Sequence, residues 1–172
     1  MEQLFEEGAA YEEMLNRGIG LSGESKDFFV EGRLKNMREV LPADFTPKKI
    51  LDFGCGTGET SQSLAALFPQ AVVYGSEISK GAIAFAKKQN NNLSVKFIHN
   101  DTLIDFKNEF DLVYTNGVFH HILPPDRPEI LKNIYNATKK SGFFCFFENN
   151  PYNPGTKIVM SRIPFDLSLI HI

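Results

Sequence analysis

The stretch ILDFGCGTG, residues 50–58, decides the fold of this chain. It is an apolar run that leads into glycines at alternate positions, Gly54, Gly56 and Gly58, and residues 59–68 continue it with a helical pattern. An ordinary connection between a strand and a helix needs about one glycine, whereas a glycine-rich turn lets the backbone adopt positive φ and approach a ligand closely. The N–H groups that open the following helix favour a negatively charged group. The stretch therefore predicts a strand, a tight ligand-binding turn and a helix.

Outward from this turn, short apolar runs alternate with helical patterns along residues 48–150. Such alternation is typical of an α/β fold in which helices flank a mostly parallel sheet. We expect strands over residues 48–53, 71–77, 94–100, 110–116 and 142–149, and helices over residues 59–68, 80–89 and 127–139. In an open sheet of this kind, ligands bind outside the carboxyl ends of the strands.

The residues before the first strand, 1–47, show helical patterns and no strand pattern. In their second half the apolar residues fall near helical spacing and predict one apolar face, made of Phe28, Phe29, Leu34, Met37, Val40 and Leu41. Ser25 is a plausible N-cap, and Pro42 and Pro47 bracket the link into the first strand. This segment is either a lid over the ligand site or a helix that only covers the sheet, and the sequence leaves both open.

Composition restricts the class of protein. A chain of 172 residues with 42% hydrophobic residues fits one globular domain with its own core. The formal charge of −3 and the pI of about 5.8 argue against nucleic acid as a partner. Cys55 and Cys145 form no close pair or metal-like cluster, which favours free thiols, no metal and a cytoplasmic location. We see no signal peptide and no apolar run long enough to span a membrane, so we expect no membrane partner.

Polar residues stand at the predicted ends of four strands: Asp52, Glu77, Asn100 with Asp101, and Asn116. Any one of them is easily explained as a surface residue, but coincidence is a poor explanation for the whole set. Glu77 follows the last glycine of the turn by about the 20 residues at which an acid accepts hydrogen bonds from ribose hydroxyls. The set predicts a ligand that contains ribose.

Two nucleoside ligands remain, a nicotinamide dinucleotide and S-adenosylmethionine. The dinucleotide fingerprint G-x-G-x-x-G is not matched, because Gly58 comes one position early and Glu59 follows it. Two like charges about 4 Å apart repel by roughly 4 kcal/mol at an effective dielectric near 20, which disfavours a pyrophosphate beside Glu59. An acid at Asp52 instead attracts the ammonium and sulfonium of S-adenosylmethionine.

The chain resembles the class I S-adenosylmethionine-dependent methyltransferases, with a Rossmann-like three-layer sandwich. The similar motifs are ILDFGCGTG, VYGSEIS, HNDTL, FDLVYTNGVFHHI and LKNIYNATKKSGFFCFFEN, which together cover about residues 47–150. The resemblance implies that the methionine end is lined by Gly54, Cys55, Gly56 and Gly58, with Asp52 behind them and Asn116 near the methionyl group. It implies that Glu77 binds the ribose hydroxyls. By the same resemblance, Ile78 packs on adenine, and Asp101 and Thr102 contact the adenine edge.

The chain departs from the family pattern after the fifth strand, where only residues 151–172 remain in place of a helix and an antiparallel strand pair. We therefore expect a lid segment 1–47, a core 48–150, and a tail 151–172 that begins a truncated region. LNRGIGLSGES and NNPYNPGTKIVMSRIPFD also resemble bacterial small-molecule methyltransferases. NNPY is similar to a motif of enzymes that methylate nucleobase amino groups, but it follows the fifth strand rather than the fourth, so we interpret it as a turn.

Transfer from an activated methyl requires mainly that an acceptor is held in line. His120 and His121 follow the fourth strand and are our candidates for a base, which only some acceptors need. The alternative is that one histidine packs against or caps the next helix while the other faces solvent. Tyr11 and Arg17 are weaker candidates for contact with a small-molecule acceptor. The alternatives are a protein that binds S-adenosylmethionine without turnover and, less favoured, an NAD-dependent oxidoreductase.

The last expectation concerns association. The fifth strand, GFFCFFE, carries aromatic residues on both faces and no lysine or proline that would block an exposed edge. The apolar tail also needs burial. We expect a homodimer or larger assembly through this strand and the tail.

Overall fold

The computed structural model of the chain describes residues 26–148, 150 and 152. Within them, helices and strands alternate after an initial helix, in the order α1 (Lys26–Val40), β1 (Lys49–Phe53), α2 (Glu59–Leu67), β2 (Val72–Glu77), α3 (Lys80–Gln89), β3 (Val95–His99), β4 (Phe110–Asn116), α4 (Arg127–Ala137) and β5 (Thr138–Phe147). Short 3₁₀ helices lie at Asn100–Asp105, Phe119–His121 and Pro124–Asp126.

The five strands form one sheet in the order β3-β2-β1-β4-β5, and every pairing is parallel. The chain moves outward from β1 to β3 on one side and then returns to build β4 and β5 on the other side. The strand order therefore reverses between β1 and β4, and ligands of open α/β sheets bind at the carboxyl ends beside such a point. The predicted mostly parallel α/β sandwich is confirmed.

Neighbouring residues of the strands face opposite sides of the sheet and belong to two separate cores. One core joins the sheet to α1, α2 and α3 through buried residues such as Met37, Leu64 and Ala86. The other joins it to α4 through residues that include Phe110 and Ile134. Helices on both faces of a buried sheet make the three layers.

Helix α1 covers the sheet, but not with the whole face that the sequence analysis assigned to it. Leu34, Met37 and Leu41 are buried as expected, and Val30, which the prediction omitted, is buried with them. Phe28 is 56% exposed and Val40 is 80% exposed, so the assignment of both to the apolar face was wrong. The helix turns about 100° per residue, so Phe28 lies opposite the stripe that passes through Val30, Leu34 and Met37, and Val40 lies about a quarter turn to one side of it.

The fifth strand is longer than predicted. It begins at Thr138 and not at Gly142, and α4 ends at Ala137, two residues early. The register with β4 shifts between Phe110 and Leu112, and this shift accommodates the polar residues that start the strand. Lys139 and Lys140 lie within the strand, so the expectation that it contains no lysine was wrong.

Other boundaries differ by one to a few residues. The third strand stops at His99, and Asn100 and Asp101 open a 3₁₀ helix rather than ending a strand. The predicted lid residues before 26, with Ser25, and most of the tail lie outside the described residues. Within NNPY, the Tyr152 N–H donates to Asn150 Oδ1 at 3.0 Å, a short turn as interpreted.

One carboxylate, that of Asp111, joins the amino ends of β1, β4 and β5. Asp111 Oδ2 accepts hydrogen bonds from the backbone N–H groups of Lys48 and Lys49 at 2.9 Å each, and Oδ1 accepts from Lys139 Nζ at 2.6 Å. Burial alone would raise the pKa of Asp111, but the hydrogen bonds from Lys139 and the two amides outweigh burial and lower it. The contact ties β1, β4 and β5 together at the end of the sheet opposite the predicted ligand site.

None of the helices in residues 26–148 combines the length and the apolar character that a bilayer span requires.

Candidate functional site

The glycine turn between β1 and α2 is held against the end of β2. The N–H groups of Gly54 and Cys55 both donate to the carbonyl oxygen of Ser76, at 2.8 and 3.0 Å. Gly54, Gly56 and Gly58 have φ of 74°, 53° and 89°, a left-handed backbone that residues with a side chain rarely adopt. The turn therefore has the shape that the sequence predicted for a ligand-binding loop.

The three glycines differ in what surrounds them. A Cβ on Gly54 would lie 2.3 Å from a Val118 methyl, and one on Gly58 would lie 2.5 Å from the Phe97 ring. A Cβ on Gly56 would meet no atom of the described residues within 4 Å. Gly54 and Gly58 are thus required by internal packing, whereas Gly56 borders open space that a ligand can enter.

Glu77, the last residue of β2, faces this turn. Its Oε2 accepts a hydrogen bond from the Gly56 N–H at 3.1 Å, and its Oε1 accepts from the N–H groups of Ile78 and Ser79 at 2.8 and 3.0 Å. Three backbone donors thus hold the carboxylate beside the open side of Gly56. A carboxylate fixed in this way is pre-positioned to accept hydrogen bonds from a pair of hydroxyls.

Asp52 lies behind the turn, on the face of the sheet that carries α2. Its side chain is 2% exposed and accepts a hydrogen bond from Ser61 Oγ at 2.6 Å. Burial raises the pKa of Asp52 to about 7, the charge of Glu77 adds to this effect, and the bond from Ser61 opposes it. A cation held beside Asp52 would favour its charged form.

Cys55 contributes its backbone rather than its thiol. The residue is buried, and burial raises the pKa of the thiol well above its usual value, helped by the charges of Asp52 and Glu77. The thiol is therefore a poor nucleophile.

The residues predicted to border adenine lie around the carboxyl end of β3. His99 Nε2 is 2.9 Å from the Ile78 carbonyl oxygen, and His99 Nδ1 is 3.3 Å from the Asp101 nitrogen. The Thr102 hydroxyl donates to the His99 carbonyl at 2.7 Å. Ile78 is 57% exposed, and Asp101 and Thr102 are exposed. The bonds of His99 therefore bring Ile78 of one strand end next to Asp101 of the other.

Beside this group, Asn100 Oδ1 is a buried acceptor that has no hydrogen-bond partner within the part of the chain that the structure describes. A buried acceptor that lacks a donor marks a place where a ligand can supply one.

The carboxyl end of β4 leads into a loop that is attached to the glycine turn and to β5. Asn116 ends the strand, Gly117 adopts φ of 66°, and its N–H donates to the Phe147 carbonyl at 2.9 Å. Val118 follows and packs against Gly54. The candidate base His120 comes next, so the loop carries it to the side of the glycine turn.

His120 is paired with Glu148, the residue that follows β5. His120 Nδ1 lies 2.7 Å from Glu148 Oε2, and Glu148 Oε1 accepts from the N–H groups of Val118 and Phe119 at 2.8 and 2.7 Å. Burial alone would raise the pKa of Glu148, but the bond with His120 and the two amide bonds lower it overall. The His121 ring lies 3.9 Å from that of His120 at an angle of 51°.

Sequence reasoning missed three residues of this site: Ser61, His99 and Glu148. Ser61 lies two residues into α2 from its start, where a polar residue on the buried face was a signal in the sequence. His99 stands directly before the predicted pair of Asn100 and Asp101. The pairing of Glu148 with His120 follows only from the neighbouring positions of β4 and β5 in the sheet. The acceptor candidates Tyr11 and Arg17 lie outside the described residues.

Comparison with known sequences finds a match to a family model described as a methyltransferase domain, over residues 50–142. The chain is 33% identical over 94 residues to trans-aconitate 2-methyltransferase of Deinococcus radiodurans, covering 55% of this chain and 35% of that protein. It is 30% identical over 135 residues to carboxy-S-adenosyl-L-methionine synthase of Campylobacter curvus, covering 76% of this chain and 56% of that protein. The chain thus spans between about a third and a little over half of these curated relatives.

Among solved structures, the plantazolicin methyltransferase in complex with a desmethyl analogue and SAH superposes with a TM-score of 0.67 at 17% identity, covering 94% of this chain and 66% of that chain. A TehB-like SAM-dependent methyltransferase from Corynebacterium glutamicum has a TM-score of 0.60 at 23% identity, covering 80% of this chain and 70% of that chain. At these identities the likeness concerns the fold. Together with the family match, the parallel sheet and the glycine turn, it shows that the chain belongs to the class I S-adenosylmethionine-dependent methyltransferases, a family whose cofactor is S-adenosylmethionine.

Proposed function

We propose that the protein transfers a methyl group from S-adenosylmethionine to a small-molecule acceptor. The observation that carries this proposal is the arrangement at the glycine turn, where the Glu77 carboxylate is fixed by backbone N–H groups beside the open side of Gly56. S-adenosylmethionine fits these residues, because it offers ribose hydroxyls as donors and an ammonium group as a cation. When bound, it supplies an activated methyl group.

The proposed roles at the cofactor divide between the strand ends. Glu77 accepts the ribose hydroxyls. Asp52, whose buried carboxylate lies behind the turn, attracts the cationic methionyl end, and the turn residues Gly54, Cys55, Gly56 and Gly58 line that end together with Asn116. Ile78 packs on adenine while Asp101 and Thr102 meet its edge; the hydrogen bonds between His99 and the Ile78 and Asp101 backbones support this placement.

His120 is the proposed base for acceptors that must lose a proton, because its loop packs on the glycine turn and Glu148 fixes its ring. His121 stays a second candidate through its ring contact with His120. Tyr11 and Arg17 remain proposed acceptor contacts within a segment 1–47 that precedes the core 48–150 and the tail 151–172.

The identity of the acceptor does not follow from the relatives, since their names refer to different molecules. One is named for trans-aconitate, and another, from Bacillus anthracis, for malonyl-[acyl-carrier protein]. An NAD-dependent oxidoreductase is not favoured, because the family match is to a methyltransferase domain. A chain that binds the cofactor without turnover stays a separate hypothesis, and only acceptor assays distinguish it from the enzyme.

A cytoplasmic location is also a proposal, supported by the two free cysteines, Cys55 and Cys145.

The test of the proposed function is calorimetric titration with S-adenosylhomocysteine. We expect the unmodified chain to bind it and Glu77→Ala to bind about 30-fold more weakly, the equivalent of roughly 2 kcal/mol for lost charge-assisted hydrogen bonds. Thermal unfolding without ligand must accompany the titration, since Glu77 also bonds three backbone N–H groups. Glu129→Ala, at an exposed acid in the first turn of α4, is the control. Absence of binding by the folded unmodified chain contradicts the proposal.

A further inference from the structure

Glu148, the residue that follows β5, is placed to fix the position of His120. The two oxygens of its carboxylate have different partners. Oε1 accepts hydrogen bonds from the Val118 and Phe119 N–H groups, and Oε2 lies 2.7 Å from His120 Nδ1. Both side chains are largely shielded from solvent, at 12% exposure for His120 and 17% for Glu148. A shielded contact of this length fixes the plane and the position of the imidazole ring.

The contact also selects the tautomer of the neutral imidazole. An ionised carboxylate has only acceptors, so the nitrogen that faces it must carry the hydrogen. In the neutral ring this contact places the hydrogen of His120 on Nδ1 and leaves the lone pair on Nε2. Sequence position gives no hint of this choice, because the partner follows the carboxyl end of β5 and lies 28 residues away in the chain.

The surroundings of His120 belong to the cofactor side of the sheet. A Cβ on Gly117 would come within 3.5 Å of His120 Cε1, so the ring lies over the first residue after β4. Val118, bonded through its N–H to Glu148, fills the space beside Gly54 of the glycine turn. One carboxylate thus fixes both the loop that packs on the turn and the histidine that this loop carries.

We propose that Glu148 is a positioning residue that holds His120 with Nε2 ready to accept a proton, and that the methyl acceptor is therefore a hydroxyl or ammonium compound rather than a carboxylate. This inference rests on the proposed methyl transfer. A carboxylate acceptor carries no proton at neutral pH and has no use for a base. An alcohol, a phenol or a protonated amine must lose one before or during transfer.

The step balances without a further reactant. The acceptor oxygen or nitrogen forms a bond to the methyl carbon while the bond from that carbon to sulfur breaks, and its electron pair stays on the sulfur as a neutral thioether. The proton of the acceptor moves to His120 Nε2. The imidazolium that results keeps its Nδ1–H on Glu148, whose negative charge compensates the new positive charge.

Nitrogen NMR of the histidine rings tests the positioning role and needs no acceptor. With ¹⁵N-labelled protein at pH 8, we expect long-range ¹H–¹⁵N spectra to show the hydrogen of His120 on Nδ1, with the signals assigned by His120→Gln. In Glu148→Gln the amide oxygen must serve the Val118 and Phe119 N–H groups, which turns the amide NH₂ toward Nδ1. We therefore expect the hydrogen to move to Nε2 in this variant.

Two further variants make the result decisive. Glu148→Asp keeps an acceptor-only group, so it should retain the hydrogen on Nδ1, and Glu129→Gln is a matched change at an exposed site of α4. If the unmodified protein carries its hydrogen on Nε2, or if a folded Glu148→Gln variant leaves it on Nδ1, the proposal is wrong. If Glu148→Gln does not fold, the spectrum of the unmodified protein alone decides.

The acceptor class is tested with phenol, benzylamine and benzoate derivatives that share substituents, by release of S-adenosylhomocysteine. We expect transfer to phenols or amines, lowered about a hundredfold in Glu148→Gln and unchanged in Glu129→Gln. Transfer to the benzoates, with none to the phenols or the amines, would overturn the assignment of the acceptor class. Titration with S-adenosylhomocysteine separates the proposed methyl transfer from the positioning role of Glu148. Equal affinity of the unmodified protein and of Glu148→Gln supports the proposed function, whichever tautomer His120 has. If neither protein binds, the proposed function is wrong, and the NMR result on the tautomer still holds.

Discussion

At the scale of single residues, Gly56 and Gly58 make a matched pair of test positions. Both have positive φ, so alanine at either position costs about 1–2 kcal/mol in backbone strain. Against the residues 26–148, Gly58 alone adds a clash, because its Cβ would lie 2.5 Å from Phe97 and 3.1 Å from Ala86. We expect Gly58→Ala to lower the unfolding midpoint clearly more than Gly56→Ala. We expect Gly56→Ala, with its methyl group in the open space, to weaken S-adenosylhomocysteine binding at least tenfold while the chain stays folded.

Urea unfolding and calorimetric titration of the two variants check this prediction. Equal losses of stability would show that the space beside Gly58 relaxes. Unchanged affinity in Gly56→Ala would show that the ligand does not approach the turn at that residue.

Asp52 gives stability an unusual dependence on pH. Its pKa is about 7 in the folded chain and near 4 in an unfolded one. Between these values the folded state holds a proton that the unfolded state has lost, so stability falls as pH rises from about 4 to about 7. The loss is at most on the order of 4 kcal/mol, and Asn in this position does not titrate.

Unfolding free energies of the unmodified chain and of Asp52→Asn, each measured at pH 5 and at pH 8, check this prediction. We expect the value for the unmodified chain minus the value for Asp52→Asn to be smaller at pH 8 than at pH 5. A difference between the two proteins that is the same at both pH values would mean that Asp52 does not hold its proton in the fold.

At the scale of elements, β4 does two separate tasks at its two ends. Its carboxyl end leads into the His120 loop, and its amino end carries Asp111, which bonds the backbone of β1 and the Lys139 side chain of β5. We expect Asp111→Ala to cost about 2–4 kcal/mol of unfolding free energy, because it removes three hydrogen bonds to one partly buried carboxylate. Affinity for S-adenosylhomocysteine should not change, since the site lies at the other end of the sheet.

Because the pKa of Asp111 is lowered, the stability that this residue contributes depends on pH in a known direction. Its contribution is present above an unfolded pKa near 4 and disappears as pH falls through the folded pKa. The stability gap between the unmodified chain and Asp111→Ala should thus narrow below about pH 4. A gap that stays constant down to pH 3 would assign the loss to side-chain packing alone.

At the scale of the whole molecule, self-association stays a prediction. In the described part of the chain, β5 pairs with β4 on one side, and Phe144 and Phe146 are 39% and 48% exposed. Lys139 and Lys140 at the start of the strand oppose edge pairing there. Association through this strand is therefore expected at its apolar second half. Light scattering at micromolar concentration decides it, and a soluble monomer that binds no hydrophobic dye would contradict it.

The sequence was sufficient wherever local pattern determines structure. The glycine turn, the apolar strands and the acids at Asp52 and Glu77 were located from residues that lie close together in the chain. The start of β5 was missed because residues 138–141 are polar, and they join the strand only through the pairing of Thr138 with Phe110 of β4 and the register shift that follows it. The bond between Glu148 and His120 was missed for a similar reason, since it joins two loops that meet only after the sheet has formed.

The buried carboxylate behind the glycine turn also makes cofactor uptake a proton-exchange reaction. Around Asp52 lie Ser61, which donates to it, and Glu77, Cys55 and Tyr114, which interact with it electrostatically. In the proposed site the arriving ammonium group favours the charged carboxylate, so near pH 6 binding should expel a proton into the solvent. The apparent heat of binding would then depend on the ionisation enthalpy of the buffer, with different values in phosphate and in imidazole buffer at equal pH. Asp52→Asn should give the same heat in both buffers. The difference in heat between the buffers therefore measures the proton that Asp52 releases when the cofactor binds.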